Sequence, residues 1–174
     1  MRTKDSVHSI IVSWAGPFLR EKLSKSDEPN VLYMIAGRKK YGRKVEILYI
    51  GLTKRTAQER IEEHLRDACK PSSTKSAIHL DTVQIWVGHI QFPNPCTSIA
   101  FGLAEHYFIH FTKPVLNKRK LECPRRTACL VSQWRKKDFS PYQKKPSIHR
   151  DLPDILWWDE PHWRCGNLSV SKVN

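Results

Sequence analysis

Two tyrosines on either side of a basic stretch are the first residues in the chain whose types and spacing suggest chemistry. Tyr33 and Tyr49 lie in two short apolar runs that are rich in β-branched and aromatic residues, a pattern typical of strands. The connection between the runs supplies turn residues and five positive charges. If the strands pair antiparallel, both phenols come close together on one face, beside those charges. This arrangement predicts a site for a phosphate group and its proton.

Further polar residues follow on predicted helices. Thr56 and Glu59 form a capping-box pattern that predicts a helix start, and Arg60 and His64, four residues apart, then share one face of that helix. Glu105 lies inside a second amphipathic segment otherwise packed with apolar residues. A carboxylate in such a position has two explanations, a metal ion or a solvent-facing side of the helix.

Together these residues resemble the motifs of the GIY-YIG nuclease superfamily. The resemblance rests on Tyr33 after Val31-Leu32, on Tyr49-Ile50-Gly51, and on four later residues in matching order: Arg60, His64, Glu105 and Asn117. It covers Asn30 to Asn117, about half of the chain. The first triplet has Val-Leu where the family name has Gly-Ile. The Arg-His spacing and the step from the glutamate to the asparagine look most like the type II restriction branch.

The resemblance implies a role for each of these residues. Glu105 is expected to hold one Mg²⁺ or Mn²⁺ ion per active site, since hard cations prefer oxygen ligands. Tyr33 is expected to be the general base and Tyr49 a second phenol that contacts phosphate, although the family leaves either base assignment open. Arg60 would clamp a phosphate oxygen. His64 would hydrogen-bond Tyr33 or assist proton transfer. Asn117 would tie down the loop after the second helix.

The elements that must position these residues predict an α+β fold. A small three-stranded antiparallel sheet, with a third strand from Thr82 to Phe92, is expected to be flanked by helices. The apolar spacing from Ser6 to Leu23 predicts an N-terminal helical extension, interrupted at Gly16-Pro17. The expected organisation is therefore a helical segment over 1–29, a catalytic core over 30–120, and a basic, tryptophan-rich extension over 121–174 that docks on the core and contacts DNA.

The charge of the chain indicates its partner. A formal net charge of +13 over 174 residues and a pI near 9.7 favour a polyanion, with double-stranded DNA first. Basic residues interleaved with aromatic ones suit contacts to both phosphates and bases. The basic residues expected to contact DNA are Lys39, Lys40, Arg43, Lys44, Lys54, Arg119, Arg125, Arg126, Arg135, Lys136, Lys137, Lys144 and Lys145.

The remaining features concern compartment and metals. No apolar run is long enough for a transmembrane helix, and no signal peptide is recognisable, so a cytoplasmic protein without membrane contact is expected. Five cysteines with irregular spacing indicate reduced thiols rather than a disulfide framework. Cys123, Cys129, His162 and Cys165 could be arranged as a zinc site, but their spacing is not that of a zinc knuckle, and structural zinc is not expected.

The function that these observations favour is a metal-dependent DNA endonuclease, most simply a sequence-specific type II restriction enzyme. A restriction enzyme with a palindromic target would be a two-fold homodimer. Three alternatives stay open: a repair or structure-specific nuclease, a toxin nuclease acting on DNA or RNA, and a nucleic-acid-binding protein that no longer cleaves.

Overall fold

Seven strands form one mixed sheet, and two α-helices pack against it. The structure is a computed structural model and describes residues 7–19, 30–39, 41–68, 78–93, 97–142 and 146–168. Along the sheet the strand order is β3-β2-β4-β1-β5-β6-β7, and all neighbours are antiparallel except β1 and β5. In chain order the elements are β1 (His8–Phe18), β2 (Val31–Lys39), β3 (Glu46–Thr53), α1 (Ala57–Ala68), β4 (Ile78–Phe92), α2 (Ser98–Thr112), β5 (Ala128–Arg135), a 3-10 turn (Ser147–Arg150), β6 (Ile155–Asp159) and β7 (His162–Gly166).

The helices lie on opposite faces of the sheet because β2 is apolar on both of its faces. Tyr33 and Ile35 pack with α1, whereas Leu32 and Met34 belong to the larger core that contains α2. Successive side chains of a strand point to opposite sides, so one short strand anchors both helices. The residues that line a site near β2 can therefore come from either side of the sheet.

The expected fold class is wrong. The structure is mostly β, with a seven-stranded mixed sheet and two α-helices in its described part, and not a small three-stranded sheet flanked by helices. The three strands expected from the sequence are β2, β3 and β4, which form one end of the larger sheet. Four further strands were not anticipated from the sequence, and the reason differs between the two ends of the chain.

The N-terminal segment is a strand and not a helix. In β1, Ile10, Val12 and Trp14 are buried on one face with the period of two that a strand requires. Apolar residues also occur on the other face, so the same sequence satisfies a helical spacing, and periodicity alone does not separate the two. Trp14 lies over Gly88 of β4, where a Cβ atom would come 2.8 Å from the indole ring. The glycine makes room for this ring within the sheet.

The basic C-terminal segment contributes three strands that continue the sheet. Alternate residues of β5 are buried, and β5 runs parallel to β1 with His8 opposite Ala128. In β6, Trp158 is buried while its neighbour Trp157 is largely exposed. Charge and tryptophan content dominate the composition of this segment and conceal its short alternating runs.

In the part of the chain that the structure describes, no helix combines the length and the apolar composition that crossing a membrane requires.

Candidate active site

The outer edge of β3 is covered by side chains rather than by another strand. The amide group of Asn117 makes two hydrogen bonds with the backbone of Ile50, accepting at Oδ1 from its N–H at 3.0 Å and donating from Nδ2 to its C=O at 2.8 Å. The N–H of Leu116 donates to the C=O of Leu48 at 3.0 Å. Asn117 therefore replaces a strand neighbour and fixes the loop after α2 against the sheet, the contact that the resemblance implied.

Glu105 reaches the same edge from α2. The helix begins after Thr97, whose hydroxyl caps the N–H of Ala100 at 3.2 Å. The Oε1 atom of Glu105 accepts a hydrogen bond from the N–H of Leu52 at 3.0 Å, and its Oε2 atom forms an ion pair with the ammonium group of Lys120. The carboxylate side chain is 15% exposed. It is thus held in place by one fixed backbone group and one flexible cation.

The two tyrosines come together as the sequence predicted. β2 and β3 pair antiparallel, and the ring centroids of Tyr33 and Tyr49 are 5.7 Å apart in a stacked arrangement. Gly51, in β3, makes this possible, because a Cβ atom there would lie 2.6 Å from the Tyr33 hydroxyl and 2.7 Å from the Tyr49 ring. The role of this glycine is therefore to leave space for two rings.

His64 on α1 completes the aromatic group. Its ring lies 4.5 Å from that of Tyr49, and its Nε2 atom is 2.9 Å from the hydroxyl of Tyr33. Burial raises the pKa of Tyr33 well above its usual range, and the neighbouring Tyr49 adds to this, while Arg60 opposes it. The phenol therefore stays protonated at neutral pH, and its hydroxyl shares a hydrogen bond with Nε2 of His64.

Arg60 lies beside this aromatic group, and its guanidinium forms an ion pair with a neighbouring carboxylate. One guanidinium nitrogen forms an ion pair with Glu63 at 2.7 Å, and Arg55 binds the same carboxylate. The hydrogen bond to Glu63 raises the pKa of Arg60, and the two arginines lower the pKa of Glu63. The phosphate-clamping role of Arg60 remains a prediction, and it requires the guanidinium to bind an anion while shared with Glu63.

A cleft of about 510 Å³ brings most of these residues together. Four of the six predicted residues line it, from β3, α1, α2 and the following loop, while Tyr33 is fully buried behind them and Arg60 is not among its lining residues. Lys118, Arg119 and Lys120 form the basic side of the cleft. The lining residues that we had predicted for catalysis are Tyr49, His64, Glu105 and Asn117.

The predicted DNA-contacting residues are dispersed over the surface. Arg119 lines the cleft, and the others that the structure describes are exposed or half-buried elsewhere. Lys39 forms an ion pair with Glu46 at 3.1 Å and Lys44 one with Asp151 at 2.6 Å, so part of their charge is neutralised. Lys40, Lys144 and Lys145 lie outside the described residues. Those that occupy exposed or half-buried positions away from the cleft are Arg43, Lys54, Arg125, Arg126, Arg135, Lys136 and Lys137.

The residues of the cleft fit a hydrated divalent cation. Within the described ranges, no three His, Cys, Asp or Glu side chains are grouped closely enough to enclose a metal ion. Mg²⁺ and Mn²⁺ do not require such a group, because they keep several water ligands and accept a single carboxylate. Glu105 provides that oxygen on the wall of the cleft, and it already binds the cation of Lys120. A metal ion at Glu105 would have to displace this ammonium group.

The four residues considered for zinc lie on three separate segments. Cys123 is in the loop before β5, Cys129 is on β5, and His162 and Cys165 are on β7. The three cysteines are free thiols, and burial raises the pKa of Cys129. Nothing in their placement points to a functional role.

Lys120 is the residue of this site that sequence reasoning missed. In the sequence it is one of three consecutive basic residues, and no pattern distinguishes it from Lys118 or Arg119. Only the path of the loop after Asn117 brings its ammonium group to Glu105.

Comparison of the chain with protein-family models, with curated proteins and with solved structures finds no significant match in any of the three.

Proposed function

We propose that the protein is a divalent-metal-dependent endonuclease that hydrolyses phosphodiester bonds in double-stranded DNA, with site residues resembling those of GIY-YIG nucleases. One observation carries the proposal. Tyr49, His64, Glu105 and Asn117 come from four separate segments and line one cleft, whose remaining polar side is a run of three cations. A phosphate-binding cleft with a carboxylate and proton-carrying groups suits phosphodiester hydrolysis.

The buried and exposed tyrosines take different roles in this proposal. Tyr49 lines the cleft and presents its hydroxyl to the phosphate and the attacking water. Tyr33 is buried and protonated, and it acts by holding the His64 ring in place through the hydrogen bond to Nε2. The imidazole, which lines the cleft, then exchanges a hydrogen bond or a proton with a phosphate oxygen. The sequence-based alternative makes Tyr33 the general base. Against this alternative, Tyr33 is not among the residues that line the cleft.

Glu105 is the proposed ligand of one Mg²⁺ or Mn²⁺ ion. When bound, such an ion acts as a Lewis acid that neutralises the phosphate and stabilises the leaving oxygen. The backbone N–H of Leu52 holds one carboxylate oxygen in position, and Asn117 keeps the adjacent loop on the edge of β3. Arg119 and Lys118 then bind neighbouring phosphates of the duplex.

Digestion of long unmethylated double-stranded DNA in the presence of Mg²⁺ tests the proposal. The matched control is Glu105→Gln, which keeps an oxygen for the N–H of Leu52 but removes the charge that binds a metal ion. We expect the wild type to cut and the variant to bind DNA without cutting. Equal cutting by both proteins would contradict the metal-binding role of Glu105, and absence of both cutting and binding would contradict the whole proposal.

The pattern of fragments separates the specific forms of this function. Discrete fragments are expected, because we propose a type II restriction enzyme that acts in the cytoplasm as a homodimer. A smear would indicate a repair, structure-specific or toxin nuclease instead. Digestion of RNA in parallel identifies an RNA-directed toxin.

The Glu105–Lys120 ion pair supports a second candidate, a nucleic-acid-binding protein that does not cleave. A carboxylate with both oxygens satisfied by protein groups needs no metal ion. Binding without cutting by the wild type, in Mg²⁺ and in Mn²⁺, would favour this candidate.

A further inference from the structure

An exposed aromatic side chain lies at the tip of a basic turn after β5. In this turn the N–H of Lys136 donates to the C=O of Ser140 at 2.8 Å, and the N–H of Phe139 donates to the C=O of Lys136 at 2.9 Å. The Asp138 carboxylate accepts two hydrogen bonds from Ser140. Phe139 itself is 53% exposed. Hydrogen bonds therefore fix the backbone of the turn, and the phenyl ring at its tip remains exposed.

The backbone at Phe139 is in a conformation that phenylalanine disfavours. Its φ of 62° lies in the left-handed region, where glycine, asparagine and aspartate are the usual residues. Neither the turn hydrogen bonds nor the burial of the ring explains why a large apolar residue occupies this position. Such an outlier indicates a function of the side chain itself.

The ring of Phe139 forms one wall of a groove next to the candidate active site. The groove has a volume of about 330 Å³, and its lining residues include His89, whose ring lies 5.8 Å from that of Phe139, and Phe101. Phe101 is one helical turn before Glu105 on α2, a rise of about 6 Å along the helix. The same face of α2 thus borders both this groove and the catalytic cleft. Two polar residues, Asn30 and Gln91, also line the groove.

We propose that Phe139 is a wedge that inserts between base pairs of the bound duplex beside the scissile phosphodiester. The inference rests on the proposed function and specifies how the substrate is held. Arg135, Lys136 and Lys137 precede Phe139 at the end of β5 and in the turn, and they supply the charge that attracts DNA phosphates. Apolar side chains that enter a duplex in this way unstack a base step and bend the DNA. Asn30 and Gln91 then face the distorted step with amide groups able to contact base edges.

The first experiment measures binding of a fluorescein-labelled duplex DNA pool of randomised sequence by anisotropy, at several salt concentrations. The parent protein is Glu105→Gln, so that the probe stays intact, and Phe139→Ala is added to it. We expect affinity to fall roughly 5- to 150-fold, the range typical of losing one stacked aromatic contact, with an unchanged dependence on salt. Neutralising Lys136 and Lys137 should instead flatten the salt dependence.

Two further variants separate binding from folding. Phe139→Gly relieves the backbone conformation, so we expect its unfolding midpoint to stay equal or rise while its affinity falls like that of Phe139→Ala. Phe139→Trp keeps a stacking surface and should restore most of the affinity. Trp157→Ala is the matched control, since Trp157 is also an exposed aromatic residue but lies on β6 opposite Cys129, near the start of β5, whereas Phe139 follows the end of β5.

Permanganate oxidation of unstacked thymines on a long duplex tests insertion directly. Reactive thymines are expected with the Glu105→Gln parent and are expected to disappear with Phe139→Ala. Any of three results would overturn the wedge. Phe139→Ala could leave thymine reactivity unchanged, it could bind DNA within twofold of the parent, or Trp157→Ala could lose as much affinity as Phe139→Ala. If the parent does not bind DNA at all, the proposed function fails as well; if the wild type binds and cuts while the Phe139 variants behave normally, only the wedge fails.

Discussion

The two ends of the sheet pack against the same helix but are built from opposite kinds of residue. At the β3 edge, Glu105 and Asn117 bond the strand backbone and leave an open cleft beside it. Toward the β7 end, Trp158 and Trp163 pack on His110 and neighbouring residues of α2, with ring centroids 5.0 to 5.8 Å apart. The indole N–H of Trp158 is satisfied by the C=O of Pro124 at 3.0 Å.

This difference predicts that the β3 edge matters mainly for the proposed cleavage and the aromatic end mainly for the stability of the fold. Polar side chains at the β3 edge satisfy backbone groups and remain accessible to a substrate, so changes there should affect turnover more than folding. The aromatic end removes a large apolar area from water, and changes there should affect folding more than turnover. α2 connects the two ends, because it carries both Glu105 and His110.

The largest effect is expected from Tyr49→Phe at the polar end. Loss of the hydroxyl that we propose contacts the attacking water and the phosphate should slow cleavage by about 10²–10⁴-fold, with little change in the urea midpoint. Tyr33→Phe removes the hydroxyl that bonds His64 but lies behind the cleft, and it should slow cleavage by roughly tenfold. Single-turnover rates over a range of pH measure both. A larger effect of Tyr33→Phe would return the general-base role to Tyr33.

Trp158→Ala should have the largest effect on stability. The indole is 1% exposed, and its removal leaves a cavity, so we expect a loss of about 3–5 kcal/mol in the free energy of unfolding. Trp157→Ala is the adjacent control, because Trp157 is 41% exposed and its loss should cost little. Urea denaturation gives the free energies. Cleavage per folded molecule should be unchanged, and a fall in this quantity would show that the two ends are not separable.

Lys120→Met should affect metal binding without damaging the fold. The ammonium group competes with a metal ion for Glu105, and this half-exposed ion pair contributes about 1 kcal/mol, so Mn²⁺ affinity should rise roughly fivefold. Titration calorimetry with Mn²⁺ measures the change, with Glu105→Gln as the variant expected to bind none. Lys118→Met, in the same cleft, is the control for charge alone. Weaker Mn²⁺ binding by Lys120→Met would rule out competition.

The smallest effect concerns His110 at the aromatic end. Its Nδ1 atom accepts a hydrogen bond from the indole N–H of Trp163 at 3.2 Å, and burial together with Lys113 lowers its pKa. The unfolded chain binds a proton as the pH falls through about 6.5, whereas the folded protein resists, so stability should decrease below that pH. His110→Phe should flatten this dependence between pH 7.5 and 5.5, as measured by urea midpoints. The exposed His162→Gln should not.

The polar end was more accessible to sequence reasoning than the rest of the molecule. The tyrosine pair follows from local strand patterns, whereas the hydrogen bond between Tyr33 and His64 and the anchoring role of Asn117 were expected only from the resemblance to GIY-YIG nucleases. The structure contains all three contacts. The burial of Tyr33 was not foreseen, because it depends on α1 packing over the strand. Lys120 was missed because its position depends on the path of a loop.

The sheet beyond β4 was not predicted because its pairings are long-range. β1 satisfies both helical and strand periodicities, and only its neighbours β4 and β5 decide between them. Trp157 and Trp158 are adjacent in sequence, and their very different exposure depends on the register of β6 against β5. Net charge pointed to a nucleic-acid partner but contained no information about strand order.

The parallel pairing of β1 with β5 has a consequence for how the protein is made. During synthesis β1 emerges first and can pair with β4 once that strand is complete, but its other edge stays open until β5 leaves the ribosome. Pairings between such distant segments close slowly, because the entropy of a long loop must be overcome first. The half of the sheet that carries the candidate active-site cleft can therefore assemble while the aromatic half is still being translated.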